Sequence, residues 1–333
     1  MYSLLHHNTF GIDAKCNEFI EYHTVDELLR VLPTIREKRW LQIGGGSNLL
    51  FCNDFDGTVL HSKINDCEVL NQDADHVTLR VGSGYVWDEL VDYCVEHHFY
   101  GLENLSYIPG EVGASAVQNI GAYGVEAEQF ITSVETIEVA TGKQRIFGHA
   151  ECQYAYRSSI FKHELRGKYI VTHVVYRLSR RFAPDLEYGG IQRALQSEGI
   201  DMDTLTARQL REVIIRVRKA KLPEPSEIGS AGSFFMNPIV TQQKFEALLK
   251  DYPNMPHYVV EDGVKIPAGW MIDQCGWKGK SLGRAGVYEK QALVLVNLGG
   301  ATGKEIVALS DAIRHDVKER FGIDIHPEAN FIE

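Results

Sequence analysis

The chain has 333 residues, a length that predicts two or three domains, each with a core of its own. Hydrophobic residues contribute 44% and charged residues 24%, values that exclude collagen-like, disordered and coiled-coil classes. The formal net charge is −11, which argues against a protein that binds nucleic acid across a broad basic surface. A local basic pocket for one nucleotide is still compatible with that charge.

No targeting or membrane-spanning segment is expected from the sequence. Residues 1–8 contain no basic stretch followed by an apolar one, so they do not resemble a signal peptide. The most apolar run, residues 292–298, has the length of a strand and is too short to cross a bilayer. The six cysteines lack a C-x-x-C pair, which favours reduced thiols and a cytoplasmic location. The 13 histidines form no H-E-x-x-H motif, and we predict no metal site.

The first third of the chain predicts helices and strands in an irregular order. A Thr-x-x-Glu capping box at residues 24–27 precedes apolar residues at helical spacing, so a helix begins there. Residues 40–43 form a predicted buried strand that leads directly into a glycine-rich loop, residues 44–48. Residues 77–81 predict a further strand and residues 86–96 a helix.

The middle of the chain ends in a change of composition. Residues 136–139 and 169–178 have strand character, and residues 210–217 carry apolar side chains at helical spacing. Pro223 ends that helix. Residues 221–232 are rich in proline, glycine and serine, and we take them as the start of a C-terminal domain.

The C-terminal third predicts a helix around Phe245, a strand at residues 292–298 and a long helix that begins with a second capping box, Thr302 to Glu305. Helices and strands mix along the whole chain without a regular βαβ alternation. The predicted fold class is therefore α+β.

Three common phosphate or nucleophile motifs are nearly present, and each fails at a defined residue. Gly44 and Gly46 would need glycine or alanine at position 49 for a dinucleotide fingerprint, but Leu49 stands there. Gly303-Lys304 lacks the earlier glycine of a Walker-A loop, because Leu298 stands there, and the following Ser or Thr, because Glu305 stands there. Ser115 lacks the final glycine of a hydrolase nucleophile elbow.

Three glycine-rich loops nevertheless occupy the first half of the chain, at residues 44–48, 109–115 and 118–124. Small residues leave backbone N–H groups open, so several such loops together can surround a diphosphate. The alternative is that each loop is an ordinary turn, since glycine is a common turn residue.

The segments Ile43-Gly-Gly-Gly-Ser-Asn-Leu49, Ile108-Pro-Gly-x-x-Gly113 and Gln118-Asn-Ile-Gly-Ala-Tyr-Gly124 together strongly resemble the UDP-N-acetylenolpyruvoylglucosamine reductase family. Members are bacterial flavoenzymes that make UDP-N-acetylmuramate for peptidoglycan, and the resemblance runs nearly from end to end. It implies a two-subdomain FAD-binding fold of the vanillyl-alcohol-oxidase/PCMH type followed by an α+β substrate-binding domain. The corresponding expectation is subdomains at 1–65 and 66–220 and a substrate domain at 221–333.

The resemblance also implies noncovalent FAD, NADPH as the hydride donor, UDP-N-acetylglucosamine enolpyruvate as the substrate and ping-pong kinetics. No metal, nucleic acid, membrane insertion or obligatory protein partner is expected. The glycine loops correspond to the FAD cradle of the family. Its implied cofactor residues are Gly44, Gly45, Gly46, Ser47, Asn48, Pro109, Gly110, Gly113, Ala114, Ser115, Asn119, Gly121, Tyr123 and Gly124.

Three segments resemble the reaction centre of the family. Tyr156-Arg-Ser-Ser-Ile-Phe-Lys162 implies a catalytic Arg157, Gly232-Ser-Phe-Phe-Met-Asn-Pro238 implies Ser233 as proton donor, and Pro327-Glu328 matches the C-terminal glutamate. Further substrate diphosphate ligands implied by the resemblance are Tyr188, Lys221, Asn237 and Gln291. The segment around Tyr188 resembles a tyrosine loop found in one of the two family subtypes.

These residue types suit the implied reaction. Hydride addition to an enolpyruvyl ether leaves negative charge shared between C2 and the carboxylate, and the permanently charged fork of Arg157 can stabilise it. A serine hydroxyl is a weak acid, so Ser233 needs a preorganised site to give up its proton. Glu328 either shares the electrostatic task or polarises the carboxylate, and the sequence leaves both roles open.

Two other functions stay open at this stage. Another FAD oxidoreductase of the same fold is one, although oxidases of that kind often hold flavin covalently through His or Cys, and residues 44–48 and 109–124 contain neither. A non-catalytic sugar-nucleotide binding protein is the other. It would have no need of Arg157, Ser233 and Glu328 together.

Overall fold

The computed structural model describes residues 1–187 and 189–333, and within them the chain folds into twenty β-strands and eight α-helices. The strands are β1 (Tyr2–Ser3), β2 (Lys15–Tyr22), β3 (Trp40–Ile43), β4 (Leu49–Phe51), β5 (Phe55–Ser62), β6 (Cys67–Gln72), β7 (His76–Gly82), β8 (Gly121–Ala122), β9 (Val125–Glu126), β10 (Ile131–Glu138), β11 (Gln144–Gly148), β12 (Tyr169–Ser179), β13 (Gly229–Ser233), β14 (Ile239–Val240), β15 (Tyr258–Val260), β16 (Gly263–Lys265), β17 (Ser281–Leu282), β18 (Ala285–Val287), β19 (Val294–Asn297) and β20 (Asn330–Ile332). The helices are α1 (Val25–Ile35), α2 (Trp87–Glu96), α3 (Val112–Gln118), α4 (Gly189–Ser197), α5 (Ala207–Lys221), α6 (Gln242–Asp251), α7 (Ala268–Gln274) and α8 (Gly303–Phe321). The predicted α+β class is confirmed.

The N-terminal sheet has the strand order β1-β2-β5-β3, with β2, β5 and β3 parallel. Helix α1 covers one face and buries Leu28 and Leu32 there. Its predicted N-cap is confirmed, because the Thr24 hydroxyl accepts a hydrogen bond from the Glu27 N–H. The Glu27 carboxylate accepts instead from the His23 N–H, at 2.7 Å, so the second half of the predicted capping box is displaced by one residue.

The second sheet is antiparallel throughout, with the order β11-β10-β12-β7-β6. It contains all three strands predicted between residues 77 and 178. Helices α2 and α3 pack on it and share one apolar core with it, in which Trp87 and Tyr176 are among the largest buried side chains. The predicted helix at residues 86–96 is confirmed as α2.

The C-terminal part contains two small sheets, β13-β19-β18-β17 and β14-β16-β15, and the long helix α8. Thr302 and Glu305 form a complete capping box at the start of α8, as predicted. The predicted strand at 292–298 is shorter, since β19 spans only Val294–Asn297.

The two ends of the chain share a single core. Strand β20 pairs in parallel with β4, and the same apolar cluster contains Phe10 and Val59 from the N-terminal part and Ile306 and Leu309 from α8. The N–H of Asn330 donates to the carbonyl of Asn48, at 3.0 Å. This closure brings the C-terminal residues to the first glycine loop. The domain boundaries at 65 and 220 stay predictions.

Three further observations concern membrane spans, cysteine thiols and metal ligands. In residues 1–187 and 189–333, no helix combines the length and the apolar character needed to cross a bilayer. The six cysteines are free thiols, and burial raises the pKa of Cys67 to about 11. The same part of the chain holds no cluster of three or more metal-ligating His, Cys, Asp or Glu residues.

Close packing of α8 against β4 generates a stability prediction. A Cβ added at Gly303 would lie 1.9 Å from the carbonyl oxygen of Phe51, so Gly303→Ala must push the helix away from the strand. We expect the free energy of unfolding to fall by about 1–3 kcal/mol, the usual cost of overpacking, in equilibrium urea denaturation. Gly148→Ala is the control, since the nearest atom to its Cβ lies at 3.6 Å. Equal stability of the two variants would contradict the prediction.

Candidate active site

The first glycine loop, residues 44–48, follows β3 and has open backbone donors. Gly46 has a φ of +66°, and a Cβ there would lie 2.1 Å from the carbonyl oxygen of His7, so only glycine fits. Within the described residues, the N–H groups of Gly45, Gly46 and Ser47 donate to no backbone or side-chain acceptor. Adjacent free N–H groups of this kind form a concavity suited to an anion.

The second loop packs directly on the first. A Cβ on Gly45 would lie 3.3 Å from the Cα of Gly110, and the Ser47 hydroxyl donates to the carbonyl of Pro109 at 2.9 Å. Two of the three predicted loops therefore meet through backbone atoms, which only residues without bulky side chains permit.

The predicted loop at 109–115 is wrong beyond residue 111, because α3 begins at Val112. Ala114 and Ala116 are strong helix formers, and their propensity outweighs the single glycine between residues 112 and 118. The first N–H groups of α3 are already taken: Val112 donates to Tyr85 and Gly113 to Ser83, both at 2.9 Å. This helix end is therefore not itself the anion site.

A cavity of about 550 Å³ opens beside these loops. Its walls are the residues 40–49, one side of α3, the turn at residues 161–162 and the C-terminal residues 330–333. Gly113 and Ala114 line it as predicted. Ser115 does not, because its hydroxyl bonds to the Val112 carbonyl at 2.7 Å and to the Tyr176 hydroxyl at 2.8 Å inside the core. The hydroxyl of Ser115 thus faces the core, and its assignment as a cofactor residue stays a prediction.

Two buried polar atoms in the cavity wall have no hydrogen-bond partner in the described part of the chain, Glu111 Oε2 and Gln118 Nε2. The other oxygen of Glu111 is held by His61 Nε2 at 2.8 Å, and the other terminal atom of Gln118 accepts from Lys162 at 2.7 Å. An open acceptor, an open donor and a row of free N–H groups match a ligand that carries hydroxyls, ring heteroatoms and phosphates. The cavity thus fits the FAD that the resemblance implies.

The third loop contributes Gln118 to that cavity, and its other residues hold Arg157 or pack elsewhere. The carbonyl of Gly121 accepts from Arg157 Nη2 at 2.6 Å, and the carbonyl of Asn119 from Nη1 at 3.4 Å. A Cβ on Gly121 would lie 2.7 Å from Nη1, so the missing side chain makes room for the guanidinium. Tyr123 packs against the apolar cluster of α4 and α5. Among the predicted cofactor residues, Asn119, Gly121, Tyr123 and Gly124 are therefore absent from the wall of the 550 Å³ cavity.

The structure brings Arg157 and Glu328 into direct contact and places the backbone of Glu328 beside the residue that follows Ser233. Arg157 Nε donates to Glu328 Oε1 at 2.9 Å, and both side chains are largely buried, 17% and 14% exposed. The backbone N–H of Glu328 donates to the carbonyl of Phe234, at 2.7 Å, directly after Ser233 in the chain. Ser233 ends β13, half-buried, and no acceptor or donor in the described residues binds its hydroxyl.

Burial and neighbouring charges act in opposite directions on the Glu328 carboxyl at this centre. Burial raises the pKa of the Glu328 carboxyl, while the positive charges of Arg157 and Lys162 oppose that rise. Burial also lowers the pKa of the Lys162 ammonium. The contact with Arg157 at 2.9 Å makes Glu328 its ion-pair partner, and the two roles considered for Glu328 in the reaction stay predictions.

Sequence reasoning missed Lys162. Its ammonium donates to Gln118 Oε1 at 2.7 Å and to the Arg157 carbonyl at 2.9 Å, and it lines the 550 Å³ cavity. The signal was present, because Lys162 closes the segment that supplied Arg157.

The predicted substrate-binding residues lie on different elements of the structure. Asn237 Oδ1 accepts from the Ala268 N–H at 2.9 Å, so this side chain caps α7. Gln291 Oε1 accepts from the Leu293 N–H at 3.3 Å. Lys221 is exposed at the end of α5. Tyr188 lies outside the described residues.

A second cavity, of about 260 Å³, lies between the second glycine loop and the start of the C-terminal part. Pro109 and Gly110 line it on one side and Gly232, next to Ser233, on the other. It also contains Arg218, another residue missed from sequence, whose Nε donates to the Tyr107 carbonyl at 3.0 Å.

Comparisons with known proteins cover nearly the whole length of the chain. Residues 18–148 match the family model described as FAD binding domain, and residues 224–332 match UDP-N-acetylenolpyruvoylglucosamine reductase, C-terminal domain. The UDP-N-acetylenolpyruvoylglucosamine reductase of Bacteroides fragilis strain YCH46 is 56% identical over 334 aligned positions, which cover 99% of both chains.

Two solved structures share the fold. The UDP-N-acetylenolpyruvylglucosamine reductase of Thermus caldophilus aligns with a TM-score of 0.70 at 22% identity, covering 99% of this chain and 97% of that one. The 6-hydroxy-D-nicotine oxidase of Arthrobacter nicotinovorans aligns with a TM-score of 0.53 at 11% identity, covering 92% and 80%. The predicted two-subdomain FAD-binding fold is confirmed. The chain belongs to the UDP-N-acetylenolpyruvoylglucosamine reductase family and is an FAD-binding oxidoreductase.

Proposed function

We propose that this enzyme reduces the enolpyruvyl group of UDP-N-acetylglucosamine enolpyruvate, with NADPH as the hydride donor, to give UDP-N-acetylmuramate for peptidoglycan. The family membership supports the reaction. The observation that carries the residue assignment is the convergence of Arg157, Glu328 and Ser233, which come from three distant segments of the chain.

The cofactor site in this proposal is the 550 Å³ cavity. The free N–H groups of residues 45–47 hold the diphosphate, and Glu111 and Gln118 offer an acceptor and a donor to the remaining polar atoms. When bound there, FAD carries the hydride from NADPH to the substrate.

Arg157 is preorganised to stabilise the negative charge that develops on the substrate. A guanidinium has five N–H donors, and the structure commits three, to Glu328, Asn119 and Gly121. Two donors therefore remain, on a group whose orientation is already fixed. Charge stabilisation of this kind costs no reorganisation during the reaction.

Ser233 is assigned the proton that C2 receives. Its hydroxyl is unpaired within the described residues and stands at the end of β13, one residue before the carbonyl that holds the Glu328 backbone. The proposal requires a cation near this hydroxyl to favour the alkoxide, and Arg157 and Lys162 are the cations that act on Glu328.

The substrate diphosphate is assigned to Lys221, Asn237, Gln291 and Tyr188, as the family resemblance implies. Free thiols and NADPH as reductant support a cytoplasmic location. Both nucleotides are small-molecule partners, and ping-pong kinetic order stays a prediction.

The contact between the two glycine loops predicts a defect in flavin binding. Gly45→Val places two methyl groups against the Gly110 backbone and must separate the loops. We expect the Kd for FAD to rise at least tenfold, as measured by quenching of flavin fluorescence on titration of the FAD-free protein. Gly148→Ala, which touches no part of the cavity, should bind FAD as the wild type does. Unchanged affinity in Gly45→Val would exclude this cavity as the FAD site.

Removal of the proposed proton donor should separate the two half-reactions. In Ser233→Ala we expect flavin reduction by NADPH to be nearly normal and flavin reoxidation by the enolpyruvyl substrate to slow by about 10²–10⁴-fold or more. Anaerobic stopped-flow absorbance resolves the two rates. Ser281→Ala, an exposed serine in the same part of the fold, is the control. Equal slowing of both half-reactions would point to a positional role for Ser233 instead.

The assignment of Lys221 predicts a binding defect. A diphosphate contact is present in the ground state and in the transition state, so Lys221→Ala should raise KM more than it lowers kcat. Steady-state rates over a range of substrate concentrations give both values. Lys250→Ala removes another exposed lysine from the end of a helix and should change neither. A fall in kcat alone would contradict the diphosphate role.

A further inference from the structure

Lys162 occupies an unusual position between the cavity and the reaction centre. It is the last residue of the short turn Ile160–Lys162, half-buried, and its side chain reaches back to α3. One ammonium N–H donates to Gln118 Oε1 and a second to the Arg157 carbonyl, at 2.7 and 2.9 Å. These two contacts fix the ammonium in the cavity wall.

The charge of this ammonium is not neutralised by direct contact. In the described residues no carboxylate lies within 4.0 Å of Lys162 Nζ, and the nearby Glu328 is already paired with Arg157. An ammonium has three N–H donors, and the third finds no acceptor in that part of the chain. Arg166 also lines the cavity and its charge acts on Lys162, so this part of the wall carries two cationic side chains.

A half-buried ammonium with no carboxylate beside it is costly, so its presence in a ligand cavity calls for a negative partner in the ligand. A hydride carries two electrons and one proton. FAD that accepts a hydride from NADPH, leaving NADP⁺, therefore gains one negative charge. We propose that Lys162 contacts the bound flavin and that its ammonium neutralises the charge gained on reduction. This inference rests on the proposed occupation of the 550 Å³ cavity by FAD.

Two properties of the bound flavin report on such a charge without any turnover. One is the reduction potential, which falls when the reduced form loses a cation. The other is the affinity for sulfite, which adds its electron pair to N5 of oxidised flavin and leaves a negative charge on the ring. A unit charge within about 10 Å at an effective dielectric constant of about 20 changes either equilibrium by at least about tenfold.

The test uses FAD-loaded Lys162→Met, which removes the charge, and Lys162→Arg, which keeps it. Sulfite titration followed by flavin absorbance should show a Kd at least tenfold higher in Lys162→Met and close to wild type in Lys162→Arg. The two-electron reduction potential should fall by at least about 30 mV in Lys162→Met, the equivalent of tenfold. Lys168→Met, an exposed lysine in the same segment that does not line the cavity, is the matched control.

A wild-type sulfite Kd and potential in FAD-loaded Lys162→Met would overturn the proposal. If that variant retains no FAD, Lys162→Gln replaces it with the same criteria. Loss of FAD from both variants with retention in Lys162→Arg supports a charge contact, and loss from all three contradicts it. Wild-type FAD affinity in Gly45→Val would instead remove the cavity assignment itself, so the two failures are distinguishable.

Discussion

The reaction centre depends on the ion pair between Arg157 and Glu328, which lie 171 positions apart in the chain. Each partner is held in place by a different set of contacts between distant segments of the chain. Glu328 is positioned by its backbone bond to Phe234 and by the pairing of β20 with β4. Arg157 is held by carbonyls of the third glycine loop. The Arg157–Glu328 ion pair therefore links the two paired ends of the chain to its middle. A shift in either set of contacts would move the guanidinium of Arg157.

The backbone around this pair is conformationally strained. Arg157, Asn119 and Tyr123 are non-glycine residues with φ between +48° and +57°. Such conformations cost about 1–3 kcal/mol each and persist only where several surrounding contacts hold the backbone in place. Asn119 shows how this is done, since its side chain donates to Glu126 and to the Ala155 carbonyl and accepts from the Glu128 N–H. Rigid support of this kind fixes the carbonyl that receives Arg157.

Features that depend only on neighbouring residues, such as helix caps and apolar faces, could be predicted from the sequence. The N-cap of Thr302 and the apolar face of α8 depend on residues within two or three turns, and both are as expected. The Glu27 carboxylate bonded one residue away from its predicted partner, because both N–H groups lie within its reach. The start of α3 at Val112 was not predicted, because the spacing of Gly110 and Gly113 indicates a loop whereas Ala114 and Ala116 favour the helix.

The cavity wall was less predictable for a different reason. Whether Ser115 faces ligand or core is decided by Tyr176, which is 61 positions away and reaches its hydroxyl from β12. The position of Lys162 likewise depends on its contact with Gln118, which lies 44 positions earlier in the chain. The family resemblance supplied Arg157, Ser233 and Glu328 but not the contacts that orient them. Those contacts are tertiary and have no local signature.

The proposed ligands are anions, and the chain has a net charge of −11, so its overall charge does not attract them. The structure offers short-range donors instead. In the proposed sites, the N–H groups of residues 45–47 and the half-buried cations Lys162 and Arg218 would act within hydrogen-bond distance of the ligand, where screening by salt is weak. Each of the two cations is fixed by a backbone carbonyl rather than by a carboxylate. That arrangement orients the charge without cancelling it, which leaves it available to an anionic ligand.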